Sequence, residues 1–290
     1  MPPATATPAA HRSLMDTASP LQMELLRTTI AERFGFCVKD AWSVQLDARL
    51  AARAAATGRL GVGDYLPALL APGRDDAELM ALMETLLIGE THFLRTEPHF
   101  AALTEKVVPA WRASRQPGQR LRIASLGCST GEEPYSIAMV LQEQLGADEL
   151  ADIEITGMDL NGKSLAAARR GSYQDFQLRD LTPAQRTRWF QSEGDRWVVH
   201  PQLRASVRFL QHNLLQPLPF AGLDVIFCRN VLIYFKLPAV TFCFREFHAA
   251  LRPGGYLFLG HAESAFGFPE LFEPLSVRDG VIYQNKPSLS

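Results

Sequence analysis

One stretch of the sequence, Leu121–Tyr135, constrains the fold more than any other part of the chain. It reads Leu-Arg-Ile-Ala-Ser-Leu-Gly-Cys-Ser-Thr-Gly-Glu-Glu-Pro-Tyr, which is the pattern of a buried strand, a glycine turn and the start of a helix. In a parallel α/β sheet, such a turn brings backbone N–H groups to a ligand at the carboxyl edge of the strands. The stretch therefore predicts an α/β domain with a ligand site directly after this strand.

Two carboxylates, Glu132 and Glu133, follow the second glycine of the turn. The turn matches neither the G-x-G-x-x-G pattern of dinucleotide sites nor the Gly-Lys-Ser/Thr pattern of phosphate loops. Because two carboxylates repel a pyrophosphate and attract a cation, the loop favours a nucleoside that carries positive charge. S-adenosylmethionine, with its sulfonium and ammonium groups, is such a nucleoside, and we expect it as the cofactor.

Strand and helix patterns alternate through the second part of the chain. Strands are expected at Leu121–Leu126, Ile153–Met158, Val207–Gln211, Val225–Cys228 and Gly255–Leu259, with helical patterns between them. This alternation predicts a mostly parallel sheet, closed by an antiparallel hairpin around Asp279-Gly280. From Leu21 to about Trp111 the apolar spacing is helical. The sequence thus predicts a disordered tail at 1–19, a helical domain at 20–90, a linker, lid and connecting helix at 91–120, and the α/β domain at 121–290.

Composition excludes several classes of function. The chain has 290 residues and a net charge of −2, which gives no field that would attract nucleic acid. Its four cysteines lie far apart without metal-ligand spacing, so we expect buried thiols and no metal. No stretch approaches the roughly 20 apolar residues of a membrane span, and the first residues lack the pattern of a signal peptide. These features predict a cytoplasmic protein that does not insert into membranes.

Polar residues follow several of the predicted strands, where the site must lie. Gly127 follows the first strand and Asp159 ends the second, where an acid accepts the hydroxyls of a ribose. Asn213 follows the third, where its amide suits an adenine edge, and Arg229 and Asn230 follow the fourth. The alternative for each is structural, because Asp159 can cap a helix, Asn213 can form a turn and Arg229 can pair with a surface acid. All of these strand ends together favour a nucleoside site.

A second cluster, Gly89–Arg95, reads Gly-Glu-Thr-His-Phe-Leu-Arg at the end of the helical region. We interpret it as a lid segment that places Thr91 and Arg95 over the open edge of the sheet. The alternative is the end of an amphipathic helix with a solvated arginine.

These residues together resemble the CheR family, the chemotaxis-receptor glutamate O-methyltransferases. The resemblance covers about Leu21 to Asn285, and the pairing of Gly-Glu-Glu-Pro-Tyr-Ser with Cys-Arg-Asn-Val-Leu-Ile-Tyr-Phe is its most specific part. The matching stretches are Gly89–Arg95, Gly127–Ser136, Asp159, Asn213-Leu214, Phe227–Phe235, Leu251–Gly255, and Arg49–Arg53 leading to Asp64-Tyr65-Leu66.

The resemblance implies a small all-helical domain before a Rossmann-like S-adenosylmethionine methyltransferase domain, with a small β-subdomain inserted at about 189–206. It implies a monomer that methylates glutamate side chains in the cytoplasmic helical region of a chemoreceptor, which yields a methyl ester and S-adenosylhomocysteine. Arg95 and Tyr234 fall on the pair beside the transferred methyl group. The predicted cofactor residues are Gly89, Thr91, Arg95, Gly127, Glu133, Asp159, Asn213, Leu214, Arg229 and Asn230.

Three departures from the family pattern stand out. Gly89 occupies a position that is commonly Asn, so one side-chain contact to the cofactor is expected to be missing. Leu94 replaces a second Phe, and Thr96 replaces an acid. The loop within Phe190–Trp197 is shorter than in family members that dock on a receptor's C-terminal pentapeptide, so we predict that this chain uses no such tether.

Recognition of the substrate is expected in the helical domain, where Arg49 and Arg53 lie one helical turn apart and Arg59 follows. The functional interpretation is docking onto acidic receptor helices, and the alternative is an ordinary solvated basic face. Two other functions compete with receptor methylation. One is methyl transfer to a different acceptor, such as a small molecule, and the other is a module that binds S-adenosylmethionine without transferring its methyl group.

Overall fold

The computed structural model describes residues 17–287 except for 39–42, 72, 74–75, 88 and 117. The described residues pack into two compact units. The helical unit contains the residues before Gly89 together with Tyr234–Lys236, and the α/β unit contains Gly89–Ile233 and Leu237 onward. The segment that the sequence suggested as linker and lid therefore belongs, by its packing, to the α/β unit.

The helical unit has four helices among its described residues: α1 (Pro20–Phe34), α2 (Ser43–Ala56), α3 (Val62–Leu70) and α4 (Asp76–Leu86). The Ser19 hydroxyl accepts the Gln22 N–H at 3.2 Å, and the Gln22 side chain accepts the Ser19 N–H at 2.7 Å. This reciprocal cap fixes the start of α1, and Gly35, with a φ of 79°, ends it. The predicted helical region before the α/β unit is confirmed. The unit's core contains Leu26, Ile30, Leu50, Leu66 and Leu82, each 0% exposed.

An ion pair joins α2 to α4 inside the helical unit. Arg53 Nε donates to Glu78 Oε1 at 3.0 Å, and its NH2 donates to Oε2 at 2.5 Å. The hydroxyl of Tyr65, on α3, donates to the same Oε1 at 2.6 Å. Although burial opposes it, hydrogen bonds from Arg53 and Tyr65 lower the pKa of Glu78 below its ordinary value. The charged carboxylate is thus stabilised by groups of its own unit.

A helical segment opens the α/β unit after an irregular stretch at 89–96. It consists of α5 (Glu97–Ala102), a π-helical turn (Leu103–Val107) and α6 (Val108–Ser114). Phe100, Leu103 and Trp111 are buried, and Phe100 stacks on Phe227 with ring centroids 6.3 Å apart. This packing explains why the segment belongs to the core of the α/β unit rather than to a loose connection.

Ten strands form two sheets in the described part of the α/β unit. They are β1 (Leu121–Leu126), β2 (Ile153–Asp159), β3 (Ser172–Tyr173), β4 (Phe190–Glu193), β5 (Arg196–Val199), β6 (Val207–Gln211), β7 (Leu223–Cys228), β8 (Leu251–Leu259), β9 (Phe272–Val277) and β10 (Gly280–Asn285). The main sheet has the order β6-β2-β1-β7-β8-β10-β9. Its first five strands in that order are parallel, and β10 is antiparallel to β8 and β9. The predicted Rossmann-like sheet with a terminal hairpin is confirmed.

The remaining helices connect these strands. They are α7 (Glu132–Gln144), α8 (Ala147–Leu150), α9 (Gly162–Arg170), α10 (Pro183–Trp189), α11 (Pro201–Ala205) and α12 (Leu237–Ala250), with 3₁₀ turns at Asp175–Leu178 and Leu232–Tyr234. All six residues of β7 are buried, as expected for the middle of a covered parallel sheet. The expected strand at Gly255 begins earlier, at Leu251, directly after α12.

The second sheet is small and has the order β3-β5-β4. Its hairpin of β4 and β5 turns through Gly194 and Asp195, and Gly194 has a φ of 65°. The turn has the two-residue length that suits a tight hairpin. Of its three strands, β4 and β5 lie in the region at about 189–206 where the sequence predicted an inserted β-subdomain, whereas β3 lies before that region.

Cys128, Cys228 and Cys243 are buried thiols, whereas Cys37 is partly exposed, so the expectation of burial was wrong for one cysteine. In the part of the chain that the structure describes, no helix combines the length and the apolar character that crossing a bilayer requires.

Candidate cofactor site

The carboxyl ends of three parallel strands meet where the sequence predicted a site. Leu126, the last residue of β1, lies in register with Met158 of β2 on one side and Cys228 of β7 on the other. The chain order of the strands reverses between β1 and β7, which is the point where open α/β sheets bind ligands. The residues that follow these strands are therefore brought to one edge of the α/β unit.

The glycines of the loop after β1 are required by their surroundings. Gly127 has a φ of 71°, and a Cβ added there would collide with the Val231 side chain. Gly131 has a φ of 95°, and a Cβ added there would lie 2.8 Å from Ala168 Cβ and 3.2 Å from the Tyr173 hydroxyl. Only glycine combines this backbone conformation with such close packing. The loop is thus held tightly against its neighbours.

Backbone strain is concentrated in the motif segments. In the described part of the chain, the non-glycine residues with positive φ are Leu94, Thr96, Ser129 and Asn230. All four lie within or beside the stretches that the sequence singled out as site segments. Residues held in this region cost free energy and persist where the surroundings determine them, often at functional sites.

Asp159 does not cap the helix that follows it. The cap of α9 is Asn161, whose side chain accepts the N–H groups of Lys163 and Ser164. Asp159 instead accepts the Ser129 N–H at 2.8 Å and the Asn161 N–H at 2.7 Å. Burial raises the pKa of Asp159 above its ordinary value, against the backbone hydrogen bonds that lower it. The carboxylate thus ties the glycine loop to the end of β2.

Glu132, the first acid of the loop, is fully buried. Thr130 Oγ1 donates to its Oε2 at 2.7 Å, and Gln177 Nε2 donates to its Oε1 at 2.5 Å. Burial raises the pKa of Glu132, although these hydrogen bonds oppose the change. Glu132 is therefore closed off from a ligand, whereas Glu133 is half-buried, which favours Glu133 as the acid that meets a ligand.

Glu133 pairs with Arg229 across the strand ends. The Glu133 carboxylate accepts Ser125 Oγ at 2.7 Å and Arg229 NH1 at 3.1 Å, and Arg229 NH2 donates to the Arg95 carbonyl. Burial raises the pKa of Glu133 and lowers the pKa of Arg229, and in each case the attraction between the two opposes the change. Arg229 Nε is buried and has no hydrogen-bond partner among the described residues. The guanidinium of this pair therefore has one N–H group whose hydrogen bond the described residues do not supply.

The segment 89–96 is fixed to the α/β unit by its backbone. The Phe93 N–H donates to the Gln177 carbonyl at 2.9 Å, and the Leu94 N–H donates to Ser136 Oγ at 2.9 Å. The ring of Phe93 is fully buried, and Thr91, two residues earlier, is half-buried. The segment therefore has an irregular but anchored conformation, not the helix end of the alternative interpretation.

Charged side chains hold the same segment from its other side. His92 Nδ1 lies 2.6 Å from Arg179 NH2, and its Nε2 lies 3.0 Å from Asp180 Oδ2. Arg95 is half-buried, and its NH1 donates to the Glu90 carbonyl at 3.2 Å. The contacts of His92 were not anticipated from the sequence, since Arg179 and Asp180 are remote in the chain.

Gly89 lies directly beside the glycine loop. Ser129 Oγ donates to the Gly89 carbonyl at 3.5 Å, and a Cβ added to Gly89 would lie 2.7 Å from that hydroxyl oxygen. Ser129 therefore occupies space that a side chain at position 89 would need. The family's usual Asn would require Ser129 to move.

Asn213 and Leu214 follow β6, next to the end of β2. The Asn213 side chain accepts the Leu215 N–H at 3.0 Å, so it forms the turn that the structural alternative predicted. The Leu214 carbonyl accepts the thiol of Cys243 at 3.6 Å. A contact of these two residues with adenine stays a prediction.

The remaining predicted residues belong to the helical unit. The Tyr234 carbonyl accepts the Cys37 N–H at 2.7 Å, and its ring stacks on Phe36 at 6.2 Å. Among the predicted docking residues, Arg53 is engaged by Glu78, whereas Arg49 is half-buried and Arg59 lies 3.7 Å from Asp64. Tyr234 and Arg95 belong to different units, so their catalytic pairing stays a prediction.

The chemistry of the site suits a cationic nucleoside. Glu133 and Asp159 supply carboxylates, Arg229 holds a buried N–H that has no partner among the described residues, and the glycine loop contains no lysine for a phosphate. In the same described ranges, no group of three His, Cys, Asp or Glu side chains is arranged to hold a metal ion. The carboxyl edge of this Rossmann-like sheet therefore has the chemistry that an S-adenosylmethionine-dependent methyltransferase requires of its cofactor site.

Comparison with known proteins identifies the family within that class. The chain belongs to the CheR methyltransferase family, because residues 89–281 match the family model described as "CheR methyltransferase, SAM binding domain". S-adenosylmethionine is therefore the cofactor of this enzyme.

Three relatives show how far the similarity extends. "Chemotaxis protein methyltransferase Cher2" of Pseudomonas putida is 37% identical over 212 residues, which are 71% of this chain and 76% of that protein. "Chemotaxis protein methyltransferase 1" of Pseudomonas aeruginosa is 37% identical, over 71% of this chain and 77% of its own. "Chemotaxis protein methyltransferase 1" of Vibrio cholerae is 35% identical, over 74% and 78%.

Proposed function

We propose that this enzyme transfers the methyl group of S-adenosylmethionine to glutamate side chains of a chemotaxis-type receptor. The products are a glutamate methyl ester and S-adenosylhomocysteine, and the reaction serves adaptation of the signalling pathway. The proposal places the enzyme in the cytoplasm, at the helical signalling region of the receptor, and treats it as a monomer. Family membership and the names of the relatives support the acceptor.

One structural observation carries the proposal furthest. The guanidinium of Arg229 bonds both the Glu133 carboxylate and the Arg95 carbonyl. This arrangement links the acid of the cofactor loop to the segment that carries the candidate catalytic arginine. A guanidinium beside the cofactor can orient an incoming carboxylate, and Arg95 is the residue that we assign to that position.

The candidate cofactor residues divide by chemistry. Asp159 suits the ribose hydroxyls, Asn213 and Leu214 suit the adenine, and Glu133 suits the cationic end of the molecule. When bound, S-adenosylmethionine would supply an electrophilic methyl group on a sulfonium: the acceptor oxygen would bond to the methyl carbon as the carbon–sulfur bond breaks, and S-adenosylhomocysteine would leave as a neutral thioether.

The acceptor needs no general base. A glutamate side chain has an ordinary pKa of about 4.3, so it is already an ionised nucleophile near neutral pH. The protein must therefore position the carboxylate and exclude water from it. The planar fork of the Arg95 guanidinium suits a carboxylate, and the Tyr234 hydroxyl is the second group that we assign to this task.

Recognition of the receptor is assigned to basic residues of the helical unit. Arg49 and Arg59 are the better candidates, because Arg53 already bonds both oxygens of Glu78. Reversing the charge at Arg49 and Arg59 should slow methylation and weaken its dependence on salt. Arg208→Glu, at an arginine that is 75% exposed in the α/β unit, is the matched control. An unchanged salt profile in the double variant would favour a merely solvated face.

The short hairpin of β4 and β5 supports a mode of docking without a pentapeptide tether. A calorimetric titration with such a receptor-tail peptide should give no heat of binding. Micromolar binding of the peptide would contradict this part of the proposal.

The decisive experiment is incubation with a tritiated methyl donor and receptor cytoplasmic fragments. The expected label is released as methanol by mild base, as a methyl ester requires, and is absent from a fragment whose acceptor glutamates are changed to glutamine. Base-stable label, or label on a small molecule only, would indicate another acceptor. Binding of S-adenosylmethionine without any transfer would indicate a non-catalytic module.

A further inference from the structure

A carboxylate that is not among the predicted site residues binds the backbone of the loop that follows β7. Glu263 lies just after β8, and its Oε1 accepts the N–H groups of Val231 at 2.8 Å and Leu232 at 2.7 Å. Its Oε2 accepts the N–H groups of Asn230 at 2.8 Å and Gly260 at 2.7 Å. Each oxygen therefore receives two backbone donors, and the hydrogen-bonding capacity of the carboxylate is directed at the backbone.

Three successive N–H groups, from Asn230 to Leu232, converge on this one anion. Such a concave set of backbone donors attracts negative charge, and here the protein supplies that charge itself. The arrangement holds Asn230 at a φ of 59°, a conformation that a non-glycine residue adopts only with support. Gly260 is part of the same arrangement, because a Cβ there would lie 2.7 Å from Glu263 Oε2 and 2.8 Å from Asn230 N.

The loop that Glu263 holds carries two residues of the cofactor site, Arg229 and Asn230. Arg229 is only 7% exposed, and its position relative to Glu133 depends on the course of the backbone between β7 and the following 3₁₀ turn. Val231, the side chain with which a Cβ at position 127 would collide, belongs to the same loop. A shift of this loop would therefore disturb both the Arg229–Glu133 pair and the glycine turn.

We propose that Glu263 is a positioning residue of the cofactor site. Its carboxylate acts as an internal anion that fixes the backbone of residues 229–232. The proposal rests on the binding of S-adenosylmethionine by this family and not on the identity of the methyl acceptor. Glu263 does not need to touch the cofactor. Its effect on affinity is transmitted through the backbone that presents Arg229 and Asn230.

The negative charge and both oxygens matter, which makes glutamine the informative replacement. Glu263→Gln has nearly the same shape, but its NH₂ group would face two backbone N–H donors that then lose their acceptor. Glu263→Asp keeps the charge and withdraws it by one methylene group. The expected order of cofactor affinity is therefore wild type, then the Asp variant, then the Gln variant.

Asp224 offers a matched control at the opposite end of β7. Its carboxylate is buried, with Oδ2 accepting the Arg122 N–H at 2.8 Å and Oδ1 accepting Arg252 Nε at 2.5 Å. Asp224→Asn removes a buried anion from β7, the strand whose following loop Glu263 binds, at the edge of the sheet away from the site. It should lower thermal stability while leaving the affinity for S-adenosylhomocysteine within about twofold of wild type.

The test combines calorimetric titration with S-adenosylhomocysteine and hydrogen exchange of the unliganded full chain. For Glu263→Gln we expect a Kd raised about tenfold or more, together with faster exchange at the amides of Asn230, Val231, Leu232 and Gly260. If this variant does not fold, Glu263→Asp is measured by the same two readouts.

Three results would overturn the proposal: retained protection of these amides, lost protection with unchanged affinity, or an equal loss of affinity in Asp224→Asn. Because the titration contains no receptor, failure of receptor methylation leaves this test intact. Conversely, an unchanged Kd in Glu263→Gln would refute the role of Glu263 without touching the proposed acceptor.

Discussion

Two arginine–glutamate pairs in this molecule have opposite characters. In the helical unit, Arg53 bonds both oxygens of Glu78, and the side chains are 21% and 22% exposed. In the α/β unit, Arg229 reaches one oxygen of Glu133 at 3.1 Å, and the side chains are 2% and 14% exposed. The first pair is partly exposed and bidentate, whereas the second is buried and linked by a single contact.

The pKa shifts of the two pairs differ in sign. Hydrogen bonding to Glu78 raises the pKa of Arg53, and the pKa of Glu78 lies below its ordinary range, so both charges are stabilised. Burial instead raises the pKa of Glu133 and lowers the pKa of Arg229, so both charges are disfavoured. An ion pair whose two charges are both stabilised by hydrogen bonds of the fold is typical of a structural role. A buried ion pair with shifted pKa values and an N–H group that has no partner among the described residues is typical of a binding site. We therefore assign the second pair to the cofactor.

The largest expected effect is that of Arg229→Ala. It leaves Glu133 buried without its partner, which costs about 3–5 kcal/mol of stability in typical buried pairs. We expect the affinity for S-adenosylhomocysteine to fall by about a hundredfold or more, because the variant also releases the Arg95 carbonyl. Titration calorimetry on folded protein measures this. A Kd within threefold of wild type would show that the Arg229–Glu133 pair has a structural role, as the Arg53–Glu78 pair has.

Arg95→Ala should cut turnover by about a hundredfold or more while the protein remains folded. The Arg95 guanidinium donates to the carbonyl of Glu90, an exposed residue close by in the chain, so its loss removes little from the fold. Initial rates with a receptor fragment, together with the melting temperature, separate the two effects. Near-normal turnover would refute the catalytic assignment.

Arg53→Ala should lower the free energy of unfolding by about 1–3 kcal/mol, since it removes charge-assisted bonds from a partly buried carboxylate. The affinity for S-adenosylhomocysteine should remain within about twofold of wild type, in contrast with Arg229→Ala. Chemical denaturation and calorimetry provide the two values. A large loss of affinity would show that the helical pair also serves the cofactor.

The same pair should give a small acid dependence of stability. Because the folded pKa of Glu78 is lowered, its contribution is present above the unfolded value of about 4.3 and is lost as the pH falls through the folded pKa. Wild type and Glu78→Gln should therefore approach each other in stability on acidification. A difference that persists at low pH would contradict the lowered pKa.

Affinity for S-adenosylmethionine should also fall on acidification, although the pKa shifts of the carboxylates concerned have the opposite sign to that of Glu78. The folded pKa values of Glu133 and Asp159 are raised, so these carboxylates take up protons at a higher pH than ordinary acids and lose their attraction for a cation. At acidic pH, where these carboxyl groups are partly protonated in the free protein, binding should release protons, which titrations in buffers of different ionisation enthalpy detect. Affinity that does not change as the pH falls would argue against carboxylate contacts.

Much of the fold could be predicted because its signals are local. The apolar strands, the glycine turn at Gly127–Gly131 and the Asp279-Gly280 turn each indicate their structure within a few residues. The packing of residues 97–114 into the α/β unit could not be predicted, since amphipathic spacing shows that a face is buried but not against which unit.

The polar residues at the strand ends could be proposed as site residues from the sequence alone, whereas contacts between residues far apart in the chain could not. The spacing of Arg49 and Arg53 suggested one basic face, but Glu78, 25 residues after Arg53, bonds that arginine. Glu263 stands 33 residues after Asn230, and nothing in its neighbourhood signals that it binds that backbone. Such contacts depend on tertiary structure, which periodicity does not encode.

The most direct test of the cofactor assignment is a calorimetric comparison of nucleosides on the purified chain. Titrations with S-adenosylmethionine, S-adenosylhomocysteine, ATP and NAD ask whether the carboxyl edge of the sheet selects an adenosyl amino acid over a phosphorylated nucleotide. We predict saturable binding of the first two and none of the phosphorylated pair. Binding of ATP or NAD with neither adenosyl compound bound would contradict the assignment of Glu133 and Asp159 to the cofactor.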